Sequence, residues 1–215
     1  MLALLLVAAS MGVRIAGDGC GGHLTAERGV ITTSNFPRPF DVPASCRWVI
    51  DSSSTPQPPV VIVVYLTQLF VSTGLTFTEY AYYEPDSPSF QLEPRVLHTV
   101  TEENAATTAT VWTNQSFLVV DFAMDRLEGN HLRAADGLLD VFGINVTYNM
   151  HSAIGKLPDY SCTAAKCSLL GNCYASADYS NFWCDCFSGY SGKQCSMGPL
   201  CHPDSDICEN NSTCR

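Results

Sequence analysis

The chain has 215 residues, with 11 lysine and arginine residues against 21 aspartate and glutamate residues, which gives a formal charge of −10. Such a surplus of negative charge repels phosphate backbones and anionic lipid alike and argues against nucleic acid as a partner. Two of the 11 cysteines, Cys20 and Cys46, lie in the first 161 residues, and nine lie between Cys162 and Cys214. We therefore expect one medium domain followed by small cross-linked modules, in an oxidising compartment.

An apolar run from Leu2 to Ala9 opens the chain and is followed by small residues. This order is typical of a secretory signal, which we place at residues 1–17. No Lys or Arg precedes the run, so a chance apolar stretch behind a misassigned start codon is the alternative. No other run reaches the about 20 apolar residues of a membrane span, and we expect no span within the chain.

Short β-rich segments separated by Pro, Gly, Asn and Ser follow, and no stretch has a convincing helical period. This pattern predicts an all-β domain of two packed sheets. Alternation within Phe117–Phe122 predicts that Leu118, Val120 and Phe122 face the core. The predicted strands are 47–50, 58–70, 75–83, 108–113, 116–124 and 139–148.

Several motifs of this region together resemble one family. They are Cys20–Leu24, Gly29–Ile31, Ser34–Pro37, Cys46–Ile50, Phe117–Phe122, Asp125 and Phe142–Tyr148. They resemble a CUB domain, which implies a jelly-roll β-sandwich over residues 18–150 and a disulfide between Cys20 and Cys46. Two cysteines alone in a secreted domain also have only each other as partners. Such a bond would stabilise the domain by about 3 to 4 kcal/mol.

The chain departs from that family at two places. Many CUB domains have a second disulfide, but no cysteine lies between Cys46 and Cys162. Many also bind calcium through one Glu and two Asp residues. Asp125 matches the last of these, whereas Gln68–Gly74 supplies no carboxylate for the other two. Because calcium takes about six or more oxygen ligands, we expect no metal site.

The segment Glu79–Phe90 combines three tyrosines with acidic residues and prolines. Loops rich in tyrosine suit protein recognition. The interpretation that we favour is a strand whose outer tyrosines cover the sandwich, followed by a polar turn at residues 85–88.

The cysteines from Cys162 to Cys195 have the spacing C-x4-C-x5-C-x10-C-x-C-x8-C. Spacing alone leaves the connectivity open. A zinc site is the alternative, but no histidine lies between residues 152 and 201. The spacing resembles an EGF-like domain, residues 162–195, and we expect the preceding linker, residues 151–161, to flex. The resemblance implies the pairs Cys162 with Cys173, Cys167 with Cys184, and Cys186 with Cys195.

After a second linker at residues 196–200, the spacing Cys201-x6-Cys208-x5-Cys214 resembles the first half of another EGF-like domain. The resemblance pairs Cys201 with Cys214 and leaves Cys208 without a partner. We therefore expect that residues 201–215 are a truncated module and that the sequence is a fragment.

Four sequons predict N-linked sugar on exposed turns of an exported chain. They lie at Asn114, Asn145, Asn210 and Asn211.

The five histidines are scattered without metal-ligand spacing, and we find no nucleophile elbow and no phosphate-binding glycine loop. We therefore expect no enzyme, no catalytic residue and no cofactor. The fold class that the sequence predicts is all-β, a CUB-type jelly-roll β-sandwich followed by small disulfide-rich EGF-like modules.

The expected function is binding or adhesion by part of a larger receptor or matrix protein, secreted or exposed on the cell surface, with protein or glycan ligands. The alternative is the regulatory N-terminal part of an extracellular protease with CUB and EGF-like domains. Proteases of the complement type resemble this order but place a second CUB domain after the EGF-like one, which favours the first hypothesis. A third possibility is a short soluble decoy, in which Cys208 would seek an intermolecular partner.

Overall fold

A computed structural model describes residues 20–55, 60–84, 87, 91, 92, 94–127, 141–152, 162–176 and 181–198. The predicted signal, most of the first linker, the end of the second linker and the truncated last module lie outside these residues. The same holds for the predictions on Cys201, Cys208, Cys214, Asn210 and Asn211.

Nine strands in the first part of the described chain form two sheets that face each other. The strands are β1 Gly22–Leu24, β2 Arg28–Thr32, β3 Ala44–Asp51, β4 Val60–Phe70, β5 Leu75–Tyr80, β6 Arg95–Thr99, β7 Thr110–Thr113, β8 Phe117–Met124 and β9 Gly143–Ser152. The larger sheet has the order β1-β3-β8-β5-β6 and the smaller β2-β9-β4-β7. Neighbours are antiparallel, except that β1 runs parallel to β3.

The core lies between the two sheets and takes side chains from both. Trp48 and Phe77 of the larger sheet pack in one cluster with Ile62, Val64 and Tyr148 of the smaller sheet. Burial of large apolar side chains from two facing sheets is what stabilises a β-sandwich. The predicted all-β sandwich is therefore confirmed, and residues 20–152 are called the sandwich below.

Strand β8 has the predicted alternation. Leu118, Val120 and Phe122 belong to the core between the sheets. Phe117 and Val119 face the other way, into a small cluster on the outer side of the larger sheet.

The tyrosine segment covers part of that outer cluster. Strand β5 ends at Tyr80, three residues before its predicted end. Tyr83 is only 5% exposed and packs in the cluster, with its ring 4.9 Å from that of Tyr80. Tyr82 is 44% exposed, and its hydroxyl donates a hydrogen bond to Glu84. The favoured interpretation thus holds for Tyr83, while most of the predicted turn at 85–88 lies outside the described residues.

Some strands of the structure were not predicted, and others begin or end at different residues from those predicted. Strands β1, β2 and β6 were not predicted, and β9 begins at Gly143 instead of residue 139 and ends at Ser152. His151 and Ser152, which we assign to the linker from the sequence, thus belong to the last strand of the sandwich.

The second part of the described chain, residues 162–198, is called the disulfide module. It contains a short 3₁₀ helix at Ala164–Cys167 and a hairpin of β10 Gly171–Ala175 and β11 Phe182–Cys186. Its small core is built around four buried cysteines, so sulfur replaces the usual apolar side chains.

The structure has four disulfides within its described residues. They join Cys20 to Cys46, Cys162 to Cys173, Cys167 to Cys184, and Cys186 to Cys195. These are the pairs that the two family resemblances imply. None of the described helical segments has the length and hydropathy that a membrane crossing requires.

Candidate binding cleft between the modules

A β-bulge in β4 determines which side chains of that strand face the surface where the two modules meet. Tyr65 pairs with Thr147 and Gln68 with Asn145, so three steps along β4 match two steps along β9. The extra residue changes which side chains face outward, as a bulge does. Gln68 and Phe70 consequently lie on the outer side of the smaller sheet.

Phe70 makes an aromatic contact to the disulfide module. Its side chain is 1% exposed, and its ring centroid lies 6.3 Å from that of Phe36 and 6.4 Å from that of Phe187. Phe187 follows β11, and its N–H donates to the carbonyl of Leu170. Aromatic rings at about 4.5 to 7 Å attract each other beyond their burial of area. The contact therefore contributes to holding the disulfide module against the end of β4.

Beside this contact, a cleft of about 240 Å³ separates the two modules. One wall is Cys173–Ser176, from β10 and the residue after it. The other wall is the outer face of the smaller sheet, with Arg28, Val30, Thr67, Gln68, Asn145, Thr147 and Asn149. The sheet side of the cleft is therefore almost entirely polar.

Some of these polar groups bond to one another and others do not. The Nδ2 of Asn145 donates to Oε1 of Gln68 at 2.7 Å, and the hydroxyl of Thr67 donates to the Asn145 carbonyl at 3.2 Å. Arg28 and Asn149 are register partners on β2 and β9. Neither of these two side chains hydrogen-bonds to another described residue. Their donors and acceptors are thus available to a ligand.

An aromatic pair stands at the rim of the cleft. Tyr174 lines the cleft, and its ring stacks on that of Trp183, with centroids 5.9 Å apart and planes 18° apart. Tyr174 is 41% exposed and Trp183 is 56% exposed. Exposed Trp and Tyr side chains often supply much of the binding energy at recognition surfaces.

Beyond the aromatic pair, the surface continues into an open groove of about 550 Å³ on the disulfide module. Its lining residues are Phe182, Trp183, Cys184, Lys193, Gln194 and Ser196. Because Trp183 lines the groove and Tyr174 lines the cleft, the two depressions share one aromatic rim.

A buried carboxylate elsewhere in the sandwich has a structural role. Glu79 is 3% exposed and accepts hydrogen bonds from Nε of Arg95 at 2.5 Å and from the hydroxyl of Thr113. The group joins β5 to β6 and to β7, which belongs to the other sheet. Buried charges persist when paired in this way.

The two sequons that fall on described residues differ in their surroundings. Asn114 is exposed in the connection between β7 and β8. Asn145 is half-buried within β9 and lines the cleft. Of these two residues, Asn114 but not Asn145 lies on an exposed turn, as we expect of a glycosylated residue.

Asp125, the residue matched to a calcium ligand, is exposed just after β8. In the part of the chain that the structure describes, no group of three or more His, Cys, Asp or Glu side chains could hold a metal ion.

The cleft itself was missed by sequence reasoning. The alternation of Asn145, Thr147 and Asn149 along β9 gives a signal for a polar outer face of the sheet. No local pattern indicates that Tyr174 is brought to the same place, because that requires the disulfide module to pack on β4.

No protein-family model matches the chain. Among solved structures, it is similar to the CUB1-EGF-CUB2 domains of rat MASP-1, with 15% identity, a TM-score of 0.39 and coverage of 80% of this chain and 55% of that chain. It is similar to the CUB1-EGF-CUB2 domain of human MASP-1/3, with 16% identity, a TM-score of 0.41 and coverage of 77% and 53%. It is also similar to the MASP-1 CUB2 domain bound to Ca²⁺, with 12% identity, a TM-score of 0.37 and coverage of 60% and 98%.

The chain spans about half the length of the first two structures. At TM-scores below 0.5, these similarities carry no conclusion on function.

Proposed function

We propose that this chain is a non-enzymatic binding segment of a larger extracellular protein, a receptor or a matrix protein, and that the cleft between its two modules holds a glycan. The observation that carries the proposal is the polar wall of the cleft, in which the Arg28 and Asn149 side chains have no hydrogen bond to another described residue, beside an exposed aromatic pair. Four disulfides support an extracellular location, because such bonds persist in oxidising compartments.

The chemistry of the cleft suits a sugar. The amide of Asn149 can donate hydrogen bonds to vicinal hydroxyls and accept them, and the guanidinium of Arg28 can donate to the same hydroxyls. The apolar C–H face of a sugar ring packs on an aromatic ring, and Tyr174 stands at the rim for that contact. The cleft, at about 240 Å³, is smaller than the roughly 300 to 1,000 Å³ of pockets for drug-sized ligands, which suits one or two sugar rings.

Charge narrows the class of glycan further. The whole chain carries a formal charge of −10, which repels highly sulfated or otherwise polyanionic chains. The cleft itself contains the cation Arg28, and a guanidinium binds a single carboxylate well. We therefore propose a neutral glycan, or a glycan whose terminal sugar has one carboxylate.

A glycan array tests this proposal. The secreted chain, biotinylated and bound to a tetrameric carrier, is applied to arrayed neutral, singly acidic and polysulfated glycans. We expect binding in the first two classes. Arg28→Ala and Asn149→Ala each remove hydrogen bonds worth about 1 to 3 kcal/mol, so each weakens binding roughly tenfold.

A pair of tryptophans gives a matched control. Trp183 and Trp112 are similarly exposed, at 56% and 54%, but Trp112 lies on β7, at the edge of the smaller sheet away from β2. We expect Trp183→Ala to weaken binding and Trp112→Ala to leave it unchanged. An empty array, or binding that is insensitive to Arg28→Ala and Trp183→Ala, contradicts the proposal. Binding to cells that survives glycosidase and is lost with protease indicates a protein ligand instead.

A further inference from the structure

The sequon at Asn145 lies in an unusual place for a sugar. Asn145 is half-buried within β9, a strand that pairs on one side with β2 and on the other with β4. Its Nδ2, the atom that receives the sugar, is 2.7 Å from Oε1 of Gln68. Gln68 is only 4% exposed and lines the same cleft.

N-linked glycosylation would attach a large group to the side chain of Asn145. In the transfer from a lipid diphosphate oligosaccharide, a bond forms between Nδ2 and C1 of the first sugar. The bond between C1 and the diphosphate oxygen breaks, the amide loses one proton and the lipid diphosphate leaves. The product is a large, branched and hydrated group. The space in front of Asn145 is about 240 Å³, enough for one or two sugar rings but not for a whole branched glycan, and Cys173–Ser176 forms its opposite wall.

We propose that a glycan on Asn145 and the docked position of the disulfide module exclude each other. With Asn145 bare, its amide pairs with Gln68 and the disulfide module forms the second wall of the cleft. With Asn145 glycosylated, the sugar occupies the position of β10, and Phe187 leaves Phe70. Occupancy of the sequon therefore sets whether the sandwich and the disulfide module form one body.

The order in which the chain is synthesised explains how Asn145 can become either glycosylated or covered by the disulfide module. Asn145 precedes the first cysteine of the disulfide module in the chain, so it reaches the glycosylating compartment first. The disulfide module acquires its fold through three disulfides, and disulfide formation takes seconds to hours. The sugar is thus added before the module can cover Asn145, or it is not added at all because β9 has already paired.

Side-chain footprinting of separated glycoforms tests this inference. The chain is expressed in glycosylating cells with Asn114→Gln, Asn210→Gln and Asn211→Gln, so that Asn145 is the remaining sequon. A lectin column separates bare from glycosylated product, and each fraction is oxidised by hydroxyl radicals. We expect Phe70, which is 1% exposed in the docked form, to oxidise several-fold faster in the glycosylated fraction. Trp48, buried in the core, reports that the sandwich is folded in both fractions.

Two further variants separate the effect of the sugar from that of the side chain. Thr147→Ala destroys the sequon but keeps Asn145 and its bond to Gln68, and Asn145→Gln removes the acceptor. In both variants, Phe70 should oxidise as slowly as it does in the bare fraction. If all of the secreted product is glycosylated, the two variants serve as the unglycosylated reference. Equal rates of Phe70 oxidation with and without the sugar, whether fast or slow, contradict the proposed exclusion. Because no ligand is used, this outcome is independent of the proposed glycan binding.

Discussion

Gly143 stands at a position in the sandwich that has no room for a side chain. Its φ is +87°, and an added Cβ would lie 2.0 Å from Oγ1 of Thr33. That hydroxyl accepts a hydrogen bond from the N–H of Ile144, and the N–H of Thr33 donates to the Ile144 carbonyl. The absence of a side chain at Gly143 therefore lets β9 begin against the turn that follows β2.

Gly143→Ala should lower the free energy of unfolding by roughly 2 to 4 kcal/mol, because backbone strain and overpacking add. Urea denaturation followed by intrinsic fluorescence measures the loss. Gly22→Ala is the control, since Gly22 has a φ of +147° but no atom within 4 Å of an added Cβ. It should cost only the backbone strain, about 1 kcal/mol or a little more. Equal losses in the two variants would contradict the steric argument.

Two half-buried histidines make the sandwich sensitive to acid. Burial lowers the pKa of His151, whose Nε2 is 3.1 Å from the hydroxyl of Tyr65. Burial also lowers the pKa of His98, although a hydrogen bond with Asn104 opposes the change. Both histidines thus bind protons less readily in the folded chain than in the unfolded chain.

The sign of the pH dependence follows from linkage. As the pH falls through the unfolded pKa of about 6.5, the unfolded chain binds more protons than the folded chain, so stability decreases on acidification. We expect a lower urea midpoint at pH 5.5 than at pH 7.5. Replacing both His98 and His151 by Gln should flatten this dependence, whatever its effect on absolute stability. A midpoint that stays constant or rises on acidification would refute the interpretation.

Strand β4 serves both the core and the junction between the modules. Before its bulge, Ile62 and Val64 fill the core, and after it Phe70 reaches Phe187 of the disulfide module. A single strand therefore contributes both to the core of the sandwich and to the contact with the disulfide module.

Phe187→Ala should release the disulfide module without unfolding it. The loss of one aromatic contact is worth about 0.5 to 1.5 kcal/mol, or up to roughly tenfold in the docking equilibrium. Small-angle X-ray scattering should then give a larger radius of gyration. Trp183→Ala, on the same module but far more exposed, should leave that radius unchanged. A compact Phe187→Ala chain would show that the ring contact does not hold the junction.

Strands with a strong periodic pattern could be predicted from the sequence, and those that depend on pairing could not. Val60–Phe70 and Phe117–Met124 are apolar enough to be found directly. Strand β1 has three residues, and Gly21 and Gly22 have positive φ, so it exists only through its pairing with β3. Strand β6 is a mostly exposed edge with no buried face to leave a pattern.

The cleft is likewise a feature that could not be predicted from the sequence. Its individual residues are ordinary polar side chains, and no spacing rule joins Arg28 to Asn149 or either of them to Tyr174. Family resemblance implies the disulfide pairs but not the packing of one module on the other. Tertiary contacts that come from neither periodicity nor motif have no local signal to read.

For the molecule as a whole, we propose that the two modules act together as one binding surface. The sandwich supplies the polar wall of the cleft, and the disulfide module supplies its second wall and the aromatic rim. Function in such a fold depends on surfaces brought together on a rigid frame. The proposed exclusion between the Asn145 glycan and the docked module would then also decide whether a ligand can bind.

Peptide mapping of the secreted, unreduced chain by mass spectrometry tests the central claim most directly, since the compartment, the frame and the cleft all depend on the disulfides. We predict peptides that link Cys20 to Cys46, Cys162 to Cys173, Cys167 to Cys184, and Cys186 to Cys195, with none of these eight cysteines free. Free thiols at these positions, or cysteines joined in other pairs, would contradict the claim.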